Sequence, residues 1–196
     1  MVVLPNPDVR LTGLIAVDGQ QVEIPDSAGQ QGHVFGSRQP ERWAWARCGD
    51  FRGERAVLHA RTTQGRRGAV LMPYVSTIGL WWDGRWIEFR RISPVRDFGL
   101  GTWRIDASNS SYRLTGRIEA STQALLRARF PGPDGTSRHA HVCQVASCRL
   151  ALFEKRPGGF EEIALLESNG TTHAEWVGCT LVCFVSRAVF EVEAGQ

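Results

Sequence analysis

Bulky and small, apolar and polar side chains alternate along most of this chain, and the alternation has the period of strands. In Arg42-Trp43-Ala44-Trp45-Ala46-Arg47-Cys48, Trp43, Trp45 and Arg47 share one face, and Ala44, Ala46 and Cys48 share the other. Period-two runs predict further strands over Leu11 to Val17, Gln21 to Ile24, Ala56 to Thr62, Ala69 to Val75, Ile78 to Trp82 and Arg85 to Arg91. Trp103 to Ala107, Tyr112 to Ala120, Leu125 to Phe130, Arg138 to Val145, Arg149 to Glu154, Glu162 to Glu167, His173 to Val177 and Leu181 to Glu193 continue the series. Turn residues stand between them, at Asp18-Gly19, Gly49 to Gly53, Gly65 to Gly68 and Asp83-Gly84. Short helical turns are expected near Ser93 to Phe98 and Ser121 to Leu125. Strands roughly 10 residues apart with turns between them predict an all-β, antiparallel barrel or strongly curved sandwich. At 196 residues the chain reads as a single domain over residues 1–196.

Asp83-Gly84 between two β-rich runs is the strongest hairpin signal. A two-residue loop pairs Trp82 with Arg85, Trp81 with Trp86, Leu80 with Ile87, and Gly79 with Glu88. One face then carries Ile78, Leu80, Trp82, Ile87 and Phe89, with Arg85 at the mouth. The other carries Gly79, Trp81, Trp86, Glu88 and Arg90. If the second face lines the interior, two aromatic walls meet a carboxyl and a guanidinium, a set able to hold a polyene and offer a general acid. If the aliphatic face turns inward, Glu88 and Arg90 are a solvated pair. The same choice holds for Trp43, Trp45 and Arg47, which either wall a pocket for a flat apolar ligand or fill the core. Tyr74 is a further aromatic candidate for such a lining.

Composition narrows the function classes. The 23 basic and 20 acidic residues give a net charge of +3, too balanced for a nucleic-acid footprint, and Lys155 is the only lysine. No window reaches the roughly 18 apolar residues of a membrane helix, and the first residues carry no secretory pattern. The five cysteines are therefore expected as reduced thiols, and the protein as cytoplasmic. No Gly-x-Ser-x-Gly elbow, phosphate-binding loop, dinucleotide fingerprint or His-Glu-x-x-His helix is present.

The run from Gly32 through Gly36, Pro40, Trp43 and Trp45 resembles the opening motif of the lipocalin-like superfamily that holds tocopherol cyclase and hydroxyneurosporene synthase (carotenoid hydratase). Fungal decalin-forming Diels-Alderases are similar to these. Ala174-Glu175-Trp176-Val177-Gly178 resembles the superfamily's late Glu-aromatic-Gly segment. Val142-Cys143 and Arg149 to Glu154 fall between the two in the matching order. The resemblance implies one lipocalin-like barrel that binds a lipophilic polyketide, polyene or prenyl substrate and promotes its cyclisation or hydration without a cofactor. Members usually carry two barrels, so a site shared between barrels would here require a homodimer. His33 precedes the Gly36 turn where such proteins often have His; it either hydrogen-bonds the ligand or fastens the loop.

Glu88, Arg90 and His33 are thus the candidate catalytic groups, and Trp43, Trp45, Arg47, Trp81, Trp86 and Tyr74 the candidate ligand-binding ones. His139, His141 and Cys143 alternate on one strand face, a spacing that can supply metal ligands. Without the paired short Cys motifs of a structural zinc site they read as a polar outer face, and no metal is expected. The activity the resemblance implies is that of a cofactor-independent cyclase, a Diels-Alderase-like pericyclase if shape alone closes the ring. The alternative is a non-catalytic carrier for a similar hydrophobic ligand.

Overall fold

The computed structural model describes residues 2–34, 39–132 and 135–179. The strand expected at Leu181 to Glu193, Cys183 within it, and most of the Gly36 to Pro40 turn lie outside these residues. The chain divides by internal contacts into Met1–Gly36 and Ser37–Gln196.

The first unit is a two-stranded antiparallel ribbon of β1 (Val2–Val17) and β2 (Gln20–Val34). Asp18 and Gly19 close it, with φ of 50° and 78°, a left-handed pair suited to the twist of the flanking strands. Both strands run well beyond the expected segments. Pro5, Pro7 and Pro25 interrupt the sequence pattern, and the ladder absorbs irregularity through register shifts at Val3/Asn6, Asn6/Val9 and Leu11/Gly13.

The second unit is one antiparallel sheet of ten strands. They are β3 (Arg42–Cys48), β4 (Ala56–Arg67), β5 (Val70–Trp82), β6 (Arg85–Ser93), β7 (Phe98–Gly99), β8 (Thr102–Ser108), β9 (Tyr112–Glu119), β10 (Leu126–Pro131), β11 (Ser137–Arg156) and β12 (Gly159–Val177). The spatial order is β6-β5-β4-β3-β12-β11-β9-β8-β7, and β10 pairs with β11. The sheet curls without closing: Asn109, after β8, donates its amide to the Glu88 carbonyl on β6 at 3.0 Å. Arg85 reaches the Tyr112 hydroxyl at 3.4 Å. The expected all-β, strongly curved antiparallel fold is what the chain adopts.

One face of the curl is the core. Across β12, β3, β4, β5 and β6 the registered row Ala174, Ala46, Ala60, Ile78 and Phe89 faces inward, and the three alanines are fully buried. Their small size lets the far half of the sheet approach, so Ile105, Leu114, Ile118, Leu150 and Leu152 complete a single cluster with Trp103 and Trp176. Thr62 and Ser76, two of the buried polar residues on this face, hydrogen-bond to each other at 2.7 Å.

The sequence splits β11 and β12 into two strands each, whereas both run through. The apparent break after Val145 falls in a stretch of register shifts between Cys143 and Cys148. The break around Ser168 to Thr172 holds hydroxyls that satisfy one another, Ser168 to Thr171 at 2.7 Å and to Thr172 at 3.1 Å. Of the expected helical turns, Thr122–Ala124 forms one turn of 3-10 helix capped by Ser121. Ser93 to Phe98 instead bends at Pro94, with Ser93 Oγ accepting from the Val95 amide at 3.1 Å.

Candidate functional site

The bare side of β3, and not its indole side, packs into the core. Ala44, Ala46 and Cys48 are fully buried, and Trp43, Trp45 and Arg47 stand half-buried on the opposite face. Registers across five strands then assemble that face in rows. The first runs His173, Arg47, His59, Gly79, Glu88. The second runs Glu175, Trp45, Arg61, Thr77, Arg90, and the third Val177, Trp43, Thr63, Val75, Ile92. Trp81 and Trp86 face each other at the hairpin end of the same face.

The Asp83-Gly84 hairpin has the expected register at every pair. Asp83 and Gly84 have φ of 48° and 73°, the two left-handed residues of a type I′ turn. Its aliphatic face turns inward: Leu80, Ile87 and Phe89 are buried, while Trp86 is 42% exposed. Gly79 leaves room that the neighbouring ring takes up. A Cβ on Gly79 would fall 2.0 Å from Trp86 Cζ2, so the Trp86 indole lies directly over the glycine backbone.

The polar groups of this face are tied to the rings. Trp43 donates its indole N–H to Glu175 Oε1 at 2.8 Å. Trp45 donates to His59 Nε2, also at 2.8 Å, which leaves the His59 proton on Nδ1. Trp45 also meets the His173 ring edge-on, with centroids 4.8 Å apart.

Burial and charge set the protonation states. Burial pushes the Glu175 carboxyl above its ordinary value, against the opposing pull of the Trp43 hydrogen bond. Burial, reinforced by Arg61 and Arg47, lowers His59 from 6.5 to about 4, so it is neutral near pH 7. His173 is lowered by burial and by Arg47. The face therefore combines a carboxyl biased toward its acid form with two neutral imidazoles and a wall of indoles.

The other sequence candidates are dispersed. Glu88 and Arg90 form an exposed ion pair at 3.0 Å, on the same face but at its solvent edge. Tyr74 is buried on the core face, edge-on to Phe98, so it does not share a lining with the indoles. His33 belongs to the separate ribbon, opposite Val3 on β2 and exposed. His139, His141 and Cys143 do share a side of β11, but not a polar outer face. His141 registers with Trp176 and Cys143 with Ala174, both core residues. Cys48, Cys143, Cys148 and Cys179 are free thiols.

Sequence reasoning missed the roles of Glu175, His59 and His173. Glu175 was visible only as part of a motif, because the β3–β12 pairing that sets it beside Trp43 joins positions 132 apart in the chain.

The described residues of the second unit thus form a curled antiparallel sheet with a dense core on one face and an acid-bearing aromatic array on the other. The chain belongs to the tocopherol cyclase-like family, whose model matches residues 6–178, a span that includes every residue of the three rows. No curated protein and no solved structure matches the chain. No helix among the described residues is long and apolar enough to cross a membrane.

Proposed function

We propose that this protein binds a lipophilic polyene, prenyl or polyketide molecule on the Trp43–Trp45–Trp86 face and closes a ring in it by acid catalysis. The observation that carries the reading is the Glu175 carboxyl, held against the Trp43 indole at 2.8 Å and biased by burial toward its protonated form. Membership of a cyclase-like family supports the reaction class.

In this reading Glu175 transfers its proton to one carbon of a ligand alkene. The other alkene carbon becomes cationic, and the indole faces of Trp43 and Trp45 stabilise it. A hydroxyl of the same ligand attacks that carbon, forming the ring bond. The hydroxyl proton then returns to the Glu175 carboxylate, which restores the acid. The array also holds the flexible chain folded, removing part of the entropic barrier. No cofactor takes part. Glu88 and Arg90 serve as a polar rim. The free thiols suit a reducing compartment, and we place the protein in the cytoplasm.

The test is turnover of a phenol carrying an unsaturated prenyl chain. Glu175→Gln is expected to slow ring closure by about 100-fold with binding nearly intact, the usual scale for losing a general acid, while Glu88→Gln leaves it close to wild type. Ring closure lost on Trp45→Ala but not on Glu175→Gln would indicate a pericyclase that works by shape. Binding without turnover would make the protein a carrier.

A further inference from the structure

A second cluster of charged groups lies away from the indole face, where β10, β11 and the end of β12 meet. Arg127 on β10 is directly opposite His141 on β11, and Arg129 is directly opposite His139. Directly paired residues share a side of the sheet, with Cβ atoms about 5 Å apart, and like charges so placed repel. Because His141 also registers with Trp176, this square of two guanidiniums and two imidazoles prolongs the core side of the sheet beyond Trp176 to its mouth.

The square borders a cavity of about 530 Å³, lined by Arg127, Arg138, His139, His141, Glu41 and Cys179 among others. Among the described residues Glu41 is the only carboxylate in the lining, and it is shared between Arg138 at 3.7 Å and Arg66 at 3.4 Å. Arg129 is held by the Ser137 hydroxyl at 3.1 Å, and no carboxylate pairs with Arg127 among the described residues. His141 Nδ1 is buried without a hydrogen-bond partner among the described residues. Both imidazoles are depressed by burial first and then by the Arg127 charge, so the positive field of the square acts on its own members.

A contrasting groove of about 680 Å³ on the outer face of β8, β9 and β11 is lined by four arginines, Arg104, Arg113, Arg117 and Arg149. There Arg113 pairs with Asp106 at 3.2 Å, Arg117 with Glu119 at 3.0 Å and Arg149 with Glu167 at 3.0 Å. Three of the four arginines in that groove thus have a carboxylate partner, whereas Arg127 at the mouth has none among the described residues.

We propose that the cavity at the β10–β11–β12 mouth is a binding site for a phosphate-class oxyanion, seated against Arg127, His139 and His141. A planar guanidinium offers paired N–H donors to such an anion, and imidazoles add single donors. The anion would supply the charge that the cross-strand Arg–His pairs lack. The site does not depend on the cyclase reading, since none of these residues belongs to the Glu175 array.

Calorimetric titration with inorganic phosphate and with decyl phosphate tests it. Saturable binding of phosphate is expected in the wild type, at least tenfold weaker in Arg127→Gln and unchanged in Arg104→Gln, which alters the other groove. Arg127 is exposed, so the variant should keep the wild-type circular dichroism spectrum. Equal affinity for the two probes would identify a free anion as the ligand, and tighter binding of the ester would identify the phosphoryl end of a lipophilic molecule. No saturable binding of either probe, or equal affinity in wild type and Arg127→Gln, would overturn the proposal.

Discussion

Trp43 and Glu175, on neighbouring strands, are joined by an indole-to-carboxyl hydrogen bond of 2.8 Å. The bond pulls the carboxyl pKa down while burial pushes it up, and burial is the larger effect. Removing the donor should therefore raise the pKa further. Carboxyl-carbon NMR titration should place Glu175 above the ordinary carboxylate range, and higher still in Trp43→Phe. A lower value in Trp43→Phe would contradict this balance.

The same shift fixes the sign of a stability effect. A carboxyl whose folded pKa is raised holds its proton more tightly in the native state, so stability falls as pH rises from the unfolded value through the folded one. Glu175→Gln keeps an acceptor for the indole and removes the ionisation. Its melting temperature relative to wild type should climb as pH is raised from 4 to neutrality, whereas Glu175→Ala, which loses the acceptor, should cost about 1 kcal/mol.

His59 works in the opposite sense. Its folded pKa is about 4 against an ordinary 6.5, so the unfolded chain binds the proton more readily. Stability should be lost as pH falls from about 6.5 through about 4, by up to about 3 kcal/mol from this residue. Thermal melts from pH 7.5 to 4 should show a shallower acid loss in His59→Gln. His173, lowered in the same direction, will leave a residual slope.

Gly79 offers a local test of the hairpin face. A Cβ there would collide with Trp86, whose ring is 42% exposed and can swing outward. Gly79→Ala should change stability by less than about 1 kcal/mol, as for other substitutions that a surface side chain can accommodate, while shifting tryptophan emission to the red. Unchanged emission would mean that the ring does not lie over Gly79.

These tests also mark what could be read from the residues alone. Asp83-Gly84 specifies a turn type, the turn type fixes the register, and so every pair from Trp82–Arg85 to Gly79–Glu88 was legible. Which face turns inward was not. The size alternation of Trp43 to Cys48 is compatible with either side packing, and the decision comes from the distant strands that close over Ala46, Ala60 and Ala174. Tyr74 was misplaced for the same reason, since its side of β5 depends on a strand running unbroken from Val70 to Trp82. The polar runs in β11 and β12 read as breaks because bulges and mutually bonded hydroxyls leave no periodic trace. Glu175 gained its meaning only from a partner strand far away in the chain.

The central claim is that the indole face, and not the core face, receives the lipophilic ligand. The seven tryptophans provide resolved indole N–H signals in a proton–nitrogen correlation spectrum, and titration with a C20 polyene alcohol reads both faces at once. The account predicts that the Trp43, Trp45 and Trp86 signals shift saturably while those of the buried Trp103 and Trp176 stay in place. Shifts of Trp103 and Trp176 with Trp43 and Trp45 unmoved would put the ligand inside the curl and contradict it.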